Sequence, residues 1–320
     1  MNAKILSSGH YLPKGTLTNE DLSKMVDTSD EWIRSRTGIG SRHMATDENT
    51  SDLAYQAALN ALKKGNLDPQ ELDFIIVATI TPDYVFPSVA AMLQKRLGMR
   101  QVFALDINAA CTGFIYAIES ALGLFATGRY QKGLVIGAET LTKIIDFTDR
   151  NTCVLFGDGA GAFVLEASEK NHFKAIDIHA DGVIDSLSLE GYPLKEDLMT
   201  VKNAWPFLQM QGKEVFRFAV DAVPKVIQNL FDATGYTSSD IGAFVLHQAN
   251  QRILDKAAKD FGIEPSKLVS TLEYTGNTSS ASVPIAFEKA LEAGMIKRGD
   301  NIVMVGFGGG LTWGGVLVEY

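Results

Sequence analysis

The sequence predicts an α/β fold made of two similar halves, and two observations carry that prediction. Short β-branched runs of strand length alternate with Ala- and Leu-rich stretches of helical period nearly throughout. A pattern of residue spacings in the first half also returns in the second. Taken in order, helices are expected over 50–64, 88–97, 113–127, 213–233, 251–261 and 283–293. Between them, the mainly apolar runs 72–79, 133–137, 243–246 and 301–305 read as strands covered on both faces, in a largely parallel sheet. Further strands are expected after the Gly157–Gly161 turn and over 311–318. Residues 181–207, with several Gly, Pro and charged residues, are the least regular stretch and read as a loop insertion or a join. No low-complexity linker or charge block separates the halves.

The repeat is one of spacing rather than of side chains. Cys111 to Gly128 and Asn277 to Gly294 are both 17 steps, and the following Gly-to-Gly gaps are both 5, an offset of 166. Helix, turn and strand also recur before these points, around 65–77 and 235–246. A duplication would set Cys111, His247 and Asn277 at corresponding strand ends facing one another across a pseudo-dyad.

Composition narrows the function. At 320 residues, 46% hydrophobic and 21% charged, the chain is neither disordered nor fibrous, and it is long enough to hold a reactive site rigidly. The net charge of −9 is the wrong sign for general nucleic-acid binding. Cys111 and Cys153 cannot form a disulfide framework, so a reducing compartment is expected. With no signal-peptide core and no long apolar window, the expectation is a cytoplasmic protein without membrane insertion.

Cys111 lies in Asn108-Ala109-Ala110-Cys111-Thr112-Gly113, a small-residue turn between a strand and a long helix. Unpaired N–H groups at a helix start favour a thiolate, so a lowered thiol pKa and a nucleophilic role are expected, against a buried structural cysteine. Cys153, inside an apolar run, reads as structural. His247 ends a buried strand and precedes an amphipathic helix, where it could act chemically or merely cap. His10, His43, His172 and His179 read as surface residues. Asn277, in Gly276-Asn277-Thr278-Ser279, is a turn or N-cap residue on its own and half of a shared site if the repeat is real. Gly306–Gly310 is followed by a strand without the Lys or helix of a phosphate loop, and its bare N–H groups suit an oxyanion hole equally well. No spacing of His, Cys, Asp and Glu resembles a metal site. The order Cys, His, Asn is similar to that of papain-like proteases, but the cysteine is far from the N-terminus and lacks their Cys-Gly-Ser-Cys-Trp surroundings.

Together these motifs resemble the β-ketoacyl-acyl-carrier-protein synthase III family, along essentially the whole chain. The resemblance rests on Thr28-Ser29-Asp30-Glu31-Trp32-Ile33, Arg36-Thr37-Gly38-Ile39, the Cys111 turn, Phe156-Gly157-Asp158-Gly159-Ala160-Gly161, His247-Gln248-Ala249-Asn250, Gly276-Asn277-Thr278-Ser279 and Phe307-Gly308-Gly309-Gly310. It implies a thiolase-like fold, with duplicated halves in five αβαβα layers about a pseudo-dyad, divided as 1–170 with the cysteine and 171–320 with His247 and Asn277. It implies a ping-pong Claisen condensation that initiates fatty acid synthesis. Cys111 takes an acyl group from an acyl-CoA primer, and malonyl-acyl-carrier protein then decarboxylates and attacks it. Cys111 and Gly309 N–H groups would form the oxyanion hole, while His247 and Asn277 would bind the thioester oxygen during decarboxylation.

By the same resemblance, Trp32 and Arg150 would sandwich the CoA adenine, with Thr28, Arg36, Gly212 and Asn250 along the nucleotide and pantetheine path. Phe86 would reach a partner subunit's acyl pocket, implying a homodimer, and Leu155, Phe156 and Leu189 are further acyl-pocket candidates. An acidic carrier protein needs a cationic docking spot on a chain of this charge. Arg252, Lys256 and Lys259 fall on one side of the helix after His247 at spacings of 4, 3 and 7, diluted by Asp255 and Asp260. Arg217, Arg252 and Lys259, with Gln248, Ala249, Asn250 and Gln251, are the docking candidates. No cofactor or metal is implied. A secondary-metabolite condensing enzyme or acyltransferase of the same fold, and a non-catalytic acyl-CoA or carrier-protein binder, are the alternatives.

Overall fold

The structure is a computed structural model and describes residues 3–191 and 206–320. Its strands are β1 (Ala3–Tyr11), β2 (Gly15–Thr18), β3 (Ser41–Met44), β4 (Phe74–Ala78), β5 (Phe103–Ile107), β6 (Lys132–Glu139), β7 (Gly159–Ala167), β8 (Phe173–Val183), β9 (Leu187–Ser188), β10 (Gln209–Met210), β11 (Ala243–Leu246), β12 (Asn301–Gly308) and β13 (Gly310–Glu319). Its helices are α1 (Asn19–Ser23), α2 (Asp30–Thr37), α3 (Thr50–Gly65), α4 (Val89–Arg96), α5 (Gly113–Ala126), α6 (Arg150–Cys153), α7 (Gly212–Thr234), α8 (Gln251–Phe261), α9 (Leu272–Thr275) and α10 (Ser282–Glu292).

Two sheets organise the molecule, ordered β1-β7-β6-β4-β5 and β8-β13-β12-β11. Their pairings match one for one. β4 runs parallel to β6, as β11 does to β12; β6–β7 and β12–β13 are antiparallel, and so are β7–β1 and β13–β8. The partner of β5 in the second half is reduced to one parallel bridge, Phe244 to Leu268. Apolar side chains stack these elements in five layers. α3 and α4 cover one face of the first sheet, through residues such as Leu53, Ala57 and Leu93 against Ile75 and Ile136. α5 and α10 fill the space between the sheets, Phe114 and Phe287 meeting Phe163, Val245 and Met304. α7 and α8 cover the outer face of the second sheet. This is the expected αβαβα arrangement.

The helices expected from period lie within one or two residues of their observed ends. In the two large sheets three strands went unread, β1, β5 and β8, because Ser, His, Asp and Lys interrupt their apolar pattern. Part of the irregular stretch 181–207 is ordered as β9 paired with β10; its residues 192–205 lie outside the described ones.

The repeat needs one correction. Gly128 and Gly294 do correspond, each just beyond its helix at φ 72°. α5 has 14 residues and α10 only 11, so the match slips by one helical turn towards the N-termini. The short 3-10 turn Ala110–Thr112 before α5 matches Ser279–Ala281 before α10, which makes Ser280, not Asn277, the positional counterpart of Cys111. Gly299 likewise lies in a turn, two residues ahead of β12, whereas Gly133 is already inside β6. Of the three, only His247 directly follows a strand; Cys111 stands in a 3-10 turn and Asn277 in an isolated parallel bridge to Phe156.

Candidate active site

Cys111 is the middle residue of the Ala110–Thr112 turn, and it is buried. Its neighbour across the halves is the end of β12. A Cβ on Gly308 would lie 2.8 Å from Cys111 Cβ and 3.0 Å from Sγ, and one on Gly306 3.2 Å from the Cys111 carbonyl. The glycines at the end of β12 therefore let the backbone approach the cysteine, with Gly309 and Cys111 lining one cavity of about 430 Å³. Burial pushes the Cys111 thiol up to about 12, and the nearby Glu139 carboxyl acts in the same direction. This corrects the expected lowering. The 3-10 turn separates the cysteine from the first residue of α5, and desolvation of the thiolate outweighs the favourable hydrogen bond from Ser279.

Asn277 is clamped by its backbone to the 155–157 segment. Its N–H donates to the Leu155 carbonyl at 2.9 Å, and its own carbonyl accepts from Gly157 N–H at 3.0 Å. Its side-chain Oδ1 accepts from Ser279 N–H at 2.9 Å, which leaves the NH₂ end as the group free to donate. Asn277 lines a second cavity, of about 970 Å³. The two cavities share a wall, since Leu155 and Asn277 line the larger and Phe156 and Ser279 the smaller.

His247 is 1% exposed and lines neither cavity. Its ring meets Phe307, a lining residue of the larger cavity, edge-on at 4.9 Å between centroids. Burial pushes its pKa down to about 3, so the imidazole is neutral at physiological pH. Its Nδ1 lies 2.5 Å from Ser282 Oγ. A hydroxyl donating there leaves the proton on Nε2.

The expected contact residues divide between the cavities. Trp32, Arg36, Arg150, Gly212 and Asn250 line the larger one; Thr28 does not, and its hydroxyl has no partner among the described residues. The Arg150 guanidinium lies over the Trp32 ring, 5.1 Å from its centroid, so a purine between them requires the arginine to swing away. Of the acyl-pocket residues, Phe156 and Leu189 line the cysteine's cavity, while Leu155 belongs to the larger one. Phe86 is 85% exposed and lines neither. Ile80, Leu141, Leu187 and Leu208 also line the cysteine's cavity, and nothing in the sequence distinguished them from ordinary core.

Among the docking candidates, Arg217, Ala249, Asn250 and Arg252 edge the larger cavity, while Gln251 hydrogen-bonds Asp255 and Lys259 is exposed further along α8. Gln248 is a correction. It is fully buried, its amide donating to the Leu246 carbonyl and accepting from Thr271 N–H, so it cannot touch a docked protein. Cys153 is buried at the end of α6, as a structural cysteine would be. His10, His43 and His172 are half-buried rather than surface residues, leaving only His179 exposed. One trio among the described residues, His10, Glu288 and Glu292, has potential ligand atoms within 4.8 Å of one another, but the Lys64 ammonium already pairs with both glutamates.

The chain matches the family described as 3-oxoacyl-[acyl-carrier-protein (ACP)] synthase III over residues 105–182, and that family's C-terminal region over residues 231–320. It is 48% identical over 321 residues to a β-ketoacyl-[acyl-carrier-protein] synthase III of Streptococcus suis, covering 99% of both chains. A Clostridium perfringens protein of the same description is 47% identical over 324 residues, again with 99% of each covered. The crystal structure of 3-oxoacyl-[acyl-carrier-protein] synthase III from Aquifex aeolicus superposes with a TM-score of 0.91 at 44% identity, over 99% of this chain and all of that one. Layers, sheet order and relatives define a condensing acyltransferase of the thiolase fold. The chain belongs to the β-ketoacyl-acyl-carrier-protein synthase III family, and its work is the initiating condensation of fatty acid synthesis.

Proposed function

We propose that Cys111, His247 and Asn277 divide that condensation into two stages. In the first, Cys111 sulfur attacks the carbonyl of a short acyl-CoA; the CoA–acyl bond breaks and an acyl-cysteine forms. The oxyanion of that step is assigned to the N–H groups of Cys111 and Gly309. In the second, malonyl-acyl-carrier protein loses CO₂, and the electron pair moves into its thioester carbonyl. His247 Nε2–H and Asn277 NH₂ would donate to that oxygen, each worth roughly 3 kcal/mol in a dry site. The resulting carbanion attacks the acyl-cysteine and releases Cys111. The observation that carries this reading is the fixed Asn277 amide: with Oδ1 spent on Ser279 N–H, the end left over is the donor an enolate needs.

The acyl-CoA is read into the larger cavity, its adenine between Trp32 and Arg150 and its pantetheine past Arg36, Gly212 and Asn250, with the acyl chain against Phe156 and Leu189. The carrier protein is assigned to the cationic end of α7 and α8 through Arg217, Arg252 and Lys259. A homodimer is supported by the edge position of β5, where Phe103 and Leu105 are 41% and 40% exposed near the projecting Phe86. The repeated units are taken as 1–170 and 171–320, no metal is required, and the cytoplasm is the proposed compartment. No helix among the described residues is long and apolar enough to cross a membrane.

Acetyl-CoA followed by malonyl-acyl-carrier protein, with the Cys111 mass and the β-ketoacyl product measured together, tests this scheme. An acyl group gained by Cys111 and discharged as acetoacetyl-carrier protein supports it. Failure of acetyl, branched and longer acyl-CoAs alike to acylate Cys111 overturns it.

A further inference from the structure

We propose that Ser279 and Glu139 take the proton that Cys111 sheds during acyl transfer and return it to the departing CoA sulfur. The inference rests on Cys111 being the acylated nucleophile. A buried protonated thiol needs somewhere to send its proton, and His247 is occupied elsewhere, with its Nδ1 on Ser282. Ser279 is the residue in place. It lines the same cavity as Cys111, and its hydroxyl donates to Glu139 Oε1 at 3.2 Å.

Glu139 ends β6 and is completely buried, yet no part of the condensation has so far used it. Its Oε2 accepts from Thr81 Oγ1 at 2.7 Å, Ile80 N at 3.1 Å and Thr79 Oγ1 at 3.2 Å. Its Oε1 faces Ser279 and, at 2.8 Å, Ser280 Oγ. Ser280 Oγ is also 2.9 Å from the Ala78 carbonyl, which can only accept. The single Ser280 proton thus has two destinations. It points at Glu139 when the carboxyl is ionised; when the carboxyl is protonated it turns to Ala78 and accepts instead. The network satisfies both protonation states without moving a heavy atom, which is what a transient proton holder requires.

A second observation comes from the backbone. Ser279 holds φ +48°, a conformation suited to glycine, while its side chain is buried in the wall of the cysteine's cavity. The hydroxyl is what a glycine there would lack.

The step balances as follows. Cys111 S–H breaks as the sulfur–acyl bond forms, the proton passing to Ser279 Oγ while the Ser279 proton passes to Glu139 Oε1. Collapse of the tetrahedral intermediate breaks the bond to CoA, and the CoA thiolate recovers a proton by the reverse route. Burial raises the Glu139 carboxyl above its ordinary value, the direction a transient proton holder needs. Around it, the 79–81 loop and the Ser279–Ala281 turn carry no titratable side chain; the nucleophile turn carries Cys111. Asp158, just before the adjoining β7, is spent on Thr142 and Ala45 N–H.

Single-turnover acylation by acetyl-CoA, followed by mass across pH 5 to 9, tests the relay. The wild-type rate should fall on the acid side through a limb above the ordinary carboxylate range, where His247 does not titrate. Glu139→Gln should slow acylation at saturating acetyl-CoA at least tenfold, leave the half-saturating concentration within twofold, and abolish that limb. Ser279→Gly should do the same while keeping its unfolding midpoint, since glycine suits the backbone there. A wild-type profile flat on the acid side overturns the relay, whether or not the variants fold. So does a folded Glu139→Gln or Ser279→Gly variant with wild-type rate and profile. Wild-type protein that is acylated by neither acetyl-CoA nor branched or longer acyl-CoAs removes instead the role given to Cys111.

Discussion

Ala110 and Ser279 occupy equivalent places in the two halves: each opens the 3-10 turn before a central helix, and each has a positive φ, +43° and +48°. Non-glycine residues seldom adopt that conformation, and it costs an alanine roughly 1–2 kcal/mol. In the first half the strained turn presents Cys111; in the second it presents Ser279 itself to the same cavity. The duplicated fold has thus built one turn twice and given each copy a different task.

Replacing Ala110 with glycine should remove this strain while adding chain entropy to the unfolded state. The two effects nearly cancel, so the expected stability change lies between zero and a gain of about 1 kcal/mol. Acyl transfer should slow, because the turn that aims Cys111 is loosened. Urea unfolding beside single-turnover acylation checks both halves of the expectation. A loss of stability would show that the Ala110 conformation carries no strain.

Asn277→Asp tests the donor role without disturbing the clamp. An aspartate still accepts from Ser279 N–H, as Asn277 does at 2.9 Å, but offers no NH₂ and brings a negative charge towards the developing enolate. CO₂ release from malonyl-acyl-carrier protein should fall by about 10²–10³-fold, the cost of losing one such donor. Acylation of Cys111 should suffer far less. Equal losses in both stages would mean that Asn277 serves the site as a whole.

Two histidines shielded from water, His247 fully and His10 in part, make the fold acid-sensitive. His10 is pushed down to about 4 by burial, with the Lys289 and Lys64 charges adding to the effect, and His247 to about 3 by burial. Unfolded, both return to about 6.5 and bind protons the native chain refuses, so stability falls as pH drops below that value. Each unit of pH between 6 and 4 should cost up to about 1.4 kcal/mol per histidine. Urea midpoints at pH 7 and 5 should show the loss, and His10→Gln should remove close to half of it. A pH-independent midpoint would mean that neither group is shielded.

Much of this site could be read from the chain because it is written in small local patterns. Cys111 stands in a run of small residues, His247 directly after an apolar strand, and Gly308 inside a glycine triplet. The repeat was legible at Gly128 and Gly294, where both helices stop in the same way, and slipped where α10 is a turn shorter, because glycine spacing does not register a missing turn. The direction of the Cys111 shift was misjudged because sequence reveals a helix start but not how completely the thiol is dehydrated. Gln248 looked like surface because a polar residue beside a helix usually is; its burial depends on a carbonyl and an N–H from two other segments. Glu139 left one overlooked signal, a carboxylate closing an otherwise apolar strand.

On the proposed reading, the cationic face should separate carrier docking from CoA binding. Arg217 is paired with Glu214, and the Lys256 ammonium with Asp260, so neither carries its full charge outward. Arg252 lines the larger cavity and its guanidinium donates to the Ser35 carbonyl, so it faces both tasks. Lys259 is exposed, lies off the cavity, and makes no ion pair among the described residues. Lys259→Glu should therefore raise the KM for malonyl-acyl-carrier protein several-fold and leave that for acyl-CoA unchanged. An exposed charge contact is worth about 1 kcal/mol or less and is screened by salt, so the difference should shrink at high ionic strength. Arg252→Glu should raise both constants. Steady-state kinetics at low and high salt distinguish these outcomes. If Lys259→Glu shifts the two substrates equally, or its effect survives high salt, the carrier approaches from another side of α8.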